Sequence, residues 1–99
     1  NRKSVTLKDI ENVVIKHYDV SRNDIHSGNK SKNIALARQI CMYLTKELTE
    51  SSYQEIGRYF ANKRHTTVIF AINKIKEKMK SSDEFRSYTE NLAKIIKKQ

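Results

Sequence analysis

Apolar residues recur along this chain at intervals of three and four, the repeat of helices with one buried face. Ile10, Val13 and Val14 do so first, with His17 at the edge, and predict a helix over about 7–18. Thr6 followed by Asp9 supplies its capping signal, with the acid near the positive end of the helix dipole. Ser21 and Asp24 repeat that signal and predict a short turn of helix reaching Ile25. Residues 27–33 (Ser-Gly-Asn-Lys-Ser-Lys-Asn) are wholly polar and read as a loop. Beyond it Ile34, Ala37, Cys41, Leu44 and Leu48, widened by Ile40, mark a long helix over about 34–48. Ser52 and Glu55 then form a capping-box pattern ahead of Tyr53, Ile56, Gly57 and Phe60. The apolar pattern breaks at Ala61, Asn62 and Lys63 and resumes as Val68, Ala71, Ile72, Ile75 and Met79. Ser81 with Glu84 predicts the cap of a last helix that turns Phe85, Tyr88, Leu92 and Ile95 or Ile96 inward.

The expected fold is therefore all-α, a compact bundle of five to six helices. With no proline and two glycines, Gly28 and Gly57, little in the chain interrupts helices joined by short polar turns. Its 99 residues suit one domain with a single core. Residues 1–5 read as a linker end and 6–99 as the domain. The first residue is Asn1 rather than Met, which suits a piece of a longer protein.

Charge sharpens the picture. Twenty Lys and Arg against eleven Asp and Glu give a net +9. Over half of that excess lies in residues 51–80, where seven basic residues face two acidic ones. A concentrated basic region is the electrostatic footprint of a polyanion binder. No apolar run approaches the ~20 residues that span a bilayer, and no secretory signal pattern is present. The single cysteine, Cys41, rules out an internal disulfide and multi-cysteine zinc sites, and suits a reducing cytoplasmic setting. Its apolar neighbourhood marks it as a small core residue. His17, His26 and His65 lack metal-ligand spacing, and no glycine-rich phosphate loop occurs. Tyr43, Tyr53, Tyr59 and Phe60 could stack nucleic-acid bases, but their helical spacing favours the core. Lys94, Lys97 and Lys98 read as a solvated helix end.

The short helix, tight connection and second helix within 52–80 fit a helix-turn-helix, whose second helix offers its first residues to base edges in the major groove. That second helix opens with Lys63, Arg64, His65, Thr66 and Thr67. Free N–H groups at a helix start attract phosphate. Threonine hydroxyls can donate to phosphate oxygens, and arginine can bond guanine in bidentate fashion.

Two stretches resemble a known family. Ile56, Gly57, Phe60, His65, Thr66, Thr67 and Val68 match, in register, the pattern I-G-x-x-F-G-G-R-D-H-[ST]-T-V. That is the signature of the C-terminal DNA-binding domain of bacterial DnaA replication initiators. Upstream, Lys30 to Ala35, Arg38 to Ile40, Met42 to Leu44 and Lys46 to Thr49 resemble the same family's basic loop and following helix. The likeness covers essentially the whole chain and implies a Trp-repressor-like helix-turn-helix fold. It implies sequence-specific binding of duplex DNA at replication-origin boxes, tethering the initiator there, with a possible part in transcriptional autoregulation. ATP would belong to an upstream domain, leaving this chain no cofactor and no enzymatic activity of its own. The remainder of the initiator would be its partner, the domain itself monomeric, and its place the bacterial cytoplasm and nucleoid. A module holding an acidic protein partner is the alternative.

Carried over by position, the resemblance implies base contacts from His65 and Thr66, a minor-groove side chain at Lys30, and a phosphate contact at Thr67. It implies further phosphate contacts at Ser31, Lys32, Arg38, Tyr53 and Gln54; Lys63 joins these phosphate contacts, and Arg64 joins the base contacts, with a swing to phosphate as its alternative. Departures fall within the motif. The family's glycine pair is Ala61 and Asn62, its arginine is Lys63, and its base-reading acid is Arg64, a donor in place of an acceptor. Lys30 stands for an arginine, and Ala37 and Gln54 stand for prolines.

Overall fold

A computed structural model describes residues 4–60 and 64–99. They form six helices: α1 (Leu7–Tyr18), α2 (Arg22–Ile25), α3 (Lys32–Leu48), α4 (Tyr53–Tyr59), α5 (His65–Ser81) and α6 (Asp83–Lys98). Local chemistry accounts for most of their starts. Thr6 Oγ1 accepts from the Asp9 N–H at 3.1 Å, and Asp9 accepts in return from the Thr6 N–H at 3.0 Å. Ser21 with Asp24 and Ser52 with Glu55 close the same reciprocal box. Each satisfies two backbone donors that a helix start otherwise leaves open.

Two boundaries differ from the sequence expectation. α6 is capped by Ser82, which accepts from the Phe85 N–H at 3.1 Å. Ser81 instead ends α5 and donates back to the Lys78 carbonyl at 3.2 Å. Asp83 and Glu84 then open the first turn of α6, where the dipole favours acids. α3 starts at Lys32, ahead of the expected Ile34. Its first turn is solvated, and an apolar stripe reports only turns that touch the core.

α3 is the central element and packs against all five other helices. The core joins Ile10 and Val14 of α1, Ile25 of α2, and Ala37, Ile40, Cys41 and Leu44 of α3. Ile56 and Phe60 reach it from α4 and its end, Val68, Ile72 and Ile75 from α5, and Leu92 and Ile96 from α6. The aliphatic pattern thus lands where its period put it, with Met42 and Thr45 added on α3 and Ile34 and Leu48 only half-buried. Tyr88 stays exposed beside His17 and Tyr18, making edge contacts with both. Val5 is half-buried against the core, so packing begins within the stretch read as a linker end. Burial pushes the Cys41 thiol far above its ordinary range, consistent with an inert core position.

Candidate nucleic-acid interface

α4 and α5 pack on each other across the connection 60–64. Gly57 is buried on α4. Val68, Ala71, Ile72 and Ile75 hold the inner side of α5. Arg64, His65, Thr66 and Thr67 are all exposed at its outer start. Lys63 lies outside the described residues, as do Ala61 and Asn62.

The caps divide the helices into two kinds. α1, α2, α4 and α6 each close on a serine or threonine side chain. α3 and α5 do not: Ser31 and Arg64 are their N-caps and neither side chain makes a capping bond. Neither helix carries an acid in its first turn. Both starts therefore keep their positive dipole end unneutralised, and both carry exposed candidates, Lys30, Ser31 and Lys32 at one and Arg64 to Thr67 at the other.

A groove of about 370 Å³ joins the two helices, walled by Lys30, Lys32, Lys74 and Lys78 over a floor that includes Leu36 and Ile75. Four lysines line this one groove and make it strongly positive. The sequence reading missed Lys74 and Lys78. Their spacing of four along α5 was visible, but only the pairing of α5 with α3 sets them opposite Lys30 and Lys32.

Arg38 does not join this surface. It is 7% exposed. Its Nε donates to the Ile25 carbonyl at 2.7 Å, and its Nη2 donates to the Asp24 and Asn29 carbonyls at 2.9 and 3.0 Å. The guanidinium thus holds the end of α2 to the loop that carries Lys30. Asn29 Oδ1 also accepts from the Ser31 N–H at 2.8 Å, which shapes the last residues before α3. At α4, Tyr53 is half-buried with the Lys46 ammonium 4.4 Å from its ring centre, and Gln54 is exposed beside it. Glu55 shares that helix start, and its hydrogen bonds from the Ser52 backbone and side chain hold its carboxyl below the ordinary range.

Compared with known proteins, residues 7–75 match the helix-turn-helix family of the bacterial dnaA protein. The chain belongs to that family. It is 43% identical over 96 residues to the chromosomal replication initiator protein DnaA of Chlorobaculum tepidum, spanning 97% of this chain and 20% of that protein. The corresponding protein of Bacteroides fragilis is 39% identical over 97 residues, 98% of this chain and 20% of its own. The chain thus spans about a fifth of the length of these relatives. A crystal structure of a DNA replication initiation factor superposes with a TM-score of 0.82 at 37% identity, over 91% of this chain and 27% of that one.

Within this DnaA-family fold a buried carboxylate positions the helix-turn-helix. Glu11 of α1 is fully buried and accepts from Arg22, from the His26 Nε2 and, at 2.9 Å, from the Tyr59 hydroxyl. Arg22 also donates to Asn12. His26, Tyr59 and Phe60 pack as rings around this point, with centroids 4.9 to 5.6 Å apart. Burial, reinforced by the bond to Glu11, pushes the Tyr59 phenol up to about 12. The end of α4 is thereby fastened to α1 and α2 just before the chain turns toward α5. The sequence pattern assigns none of these residues this role, although the spacing places Tyr59 and Phe60 in the core. Among the described residues, no cluster of His, Cys, Asp and Glu could hold a metal ion, and no helix is long and apolar enough to cross a membrane.

Proposed function

We propose that this domain binds duplex DNA at replication-origin boxes and tethers the rest of an initiator there. The observation that carries the reading is the pair of uncapped, acid-free helix starts, with a lysine-lined groove running from the start of α3 to the later turns of α5. In this reading α5 enters the major groove by its N-terminus, as a recognition helix does. His65 and Thr66 meet base edges, while Thr67 holds a phosphate. Lys30 reaches the adjacent minor groove. Ser31 and Lys32 hold backbone phosphates with Lys74 and Lys78, and Lys63 adds a further cation. Gln54 and the Tyr53 hydroxyl approach the backbone from α4, where the Glu55 carboxylate limits how closely a phosphate can sit. Arg38 serves the interface indirectly, as the residue that positions the Lys30 loop. The domain acts as a monomeric reader in the bacterial cytoplasm and nucleoid. It can contribute to autoregulation wherever a box lies in a promoter.

Roughly five to eight phosphate contacts fit this surface, so the logarithm of affinity should fall against that of salt with a slope of about −4 to −7. Titrations of a box duplex and a scrambled duplex across salt concentrations measure this slope and the specificity together. A slope near zero, or equal affinity for both duplexes, would overturn the reading and favour an acidic protein partner.

Arg64 tests the chief departure from the family signature. Its side chain makes no capping bond and is exposed, free to swing to a phosphate. Arg64→Asp should remove that contact, lowering affinity for random duplex and flattening the salt slope by about 1. It should sharpen preference at one base pair, because a carboxylate there can accept from a cytosine amino group. Aspartate also caps helices well, so the variant should melt no lower than wild type. A panel of duplexes varied at that base pair reads the result. Unchanged base preference together with unchanged random-duplex affinity would remove Arg64 from the interface.

A further inference from the structure

Phe70 is 66% exposed, the most exposed large hydrophobic side chain among the described residues. Its position on α5 is informative. The buried residues Val68, Ala71, Ile72 and Ile75 define the inner side of the helix. Thr66, Phe70 and Asn73, at spacings of four and three, share the opposite side. Phe70 therefore continues the proposed base-reading face one turn beyond Thr66. Its surroundings are polar and basic, with Thr66, Thr67 and Asn73 exposed nearby in the helix and the Lys74 ammonium 5.8 Å from its ring centre. Such a patch lacks the neighbouring apolar area of a protein-docking site, whereas a DNA groove supplies both phosphates for the lysine and isolated apolar methyl groups for the ring.

Resting on the duplex-binding reading above, the geometry points to Phe70 as a further specificity-determining residue that packs its ring on the C5-methyl of a thymine. The four residues from Thr66 to Phe70 advance about 6 Å along the helix, under two base-pair steps of roughly 3.4 Å. The thymine thus lies one or two steps beyond the base met by Thr66. The contact is apolar, so it distinguishes thymine from uracil as well as from cytosine.

The test removes only the methyl. A preferred site is selected from random duplexes, and each thymine in it is replaced singly by deoxyuridine. Wild type, Phe70→Ala, Phe70→Leu and Thr66→Ala are titrated against the set, with a scrambled duplex alongside. One substitution should weaken wild-type binding by about 3- to 10-fold. Phe70→Ala should bind that duplex and its thymine parent equally, Phe70→Leu should keep part of the discrimination, and Thr66→Ala should keep all of it at that position. The exposed site leaves helical content unchanged, which circular dichroism checks. A Phe70→Ala protein with the wild-type thymine-to-uracil ratio at every position overturns this assignment alone. Failure of wild type to prefer the selected site over the scrambled one overturns the duplex reading beneath it.

Discussion

Glu11→Ala should lower the stability of the domain by about 3 kcal/mol, the largest single loss expected outside its aliphatic core. The carboxylate is fully buried and gathers Arg22, His26 and Tyr59 from two other helices and a loop. Removing one member of a buried ionic network strands the others, a loss of about 3–5 kcal/mol. The Arg22 and His26 side chains keep 41% and 30% of their exposure, so water recovers part of that loss and the lower end of the range applies. Each kcal/mol shifts Tm by roughly 4–8 °C in a domain of this size, so the melting point should fall by about 12–24 °C. Glu11→Gln retains the shape and one acceptor and should fall by less. At temperatures where Glu11→Gln is folded, its box affinity should still drop, because the end of α4 that leads to α5 has lost part of its anchor. Thermal melts and box titrations of both variants check the pair of effects. An alanine variant melting within about 3 °C of wild type would show that the network contributes little.

The fold was largely legible because its determinants are local. Thr6–Asp9, Ser21–Asp24 and Ser52–Glu55 act over three residues, and the aliphatic stripes act over one or two turns. At residues 81–84 the local rule failed because two serines compete. Ser81 has an acid three residues on and Ser82 does not, so the motif favoured the wrong one. α5 continues through Ser81, and the cap moved with it. The site was legible only in part. His65, Thr66 and Thr67 stood out as a polar cluster at a helix start. Glu11 could not, since its partners lie 11, 15 and 48 residues away. Lys74 and Lys78 gained meaning only from the facing helix. Arg38 fell on the polar side of the α3 stripe, yet carbonyls at the end of α2 and in the loop after it drew it inward. Long-range partners, rather than periodicity, decided each of these positions.

His65→Ala and Thr66→Ala should each weaken box binding by roughly 1–3 kcal/mol, or about 5- to 150-fold, while leaving scrambled-duplex binding nearly untouched. Both side chains are exposed and neither caps α5, so the core gains nothing from them. On the proposed reading their value lies in contacts with the duplex. The imidazole can donate or accept at a base edge, and the threonine offers a hydroxyl and a methyl. On the proposed reading these adjacent residues serve one stretch of the groove, and the double variant should lose less than the sum of the singles. Thr67→Ala provides the contrast. A phosphate contact carries no sequence information directly, so its loss should lower box and scrambled affinity alike and leave their ratio in place. Titrating the three single variants and the double variant on both duplexes separates base reading from backbone holding. Thermal melts establish that all four stay folded. Equal losses on box and scrambled duplex from His65→Ala would move His65 from the bases to the backbone. A fall in Tm matching the loss of binding would make it a residue of the fold.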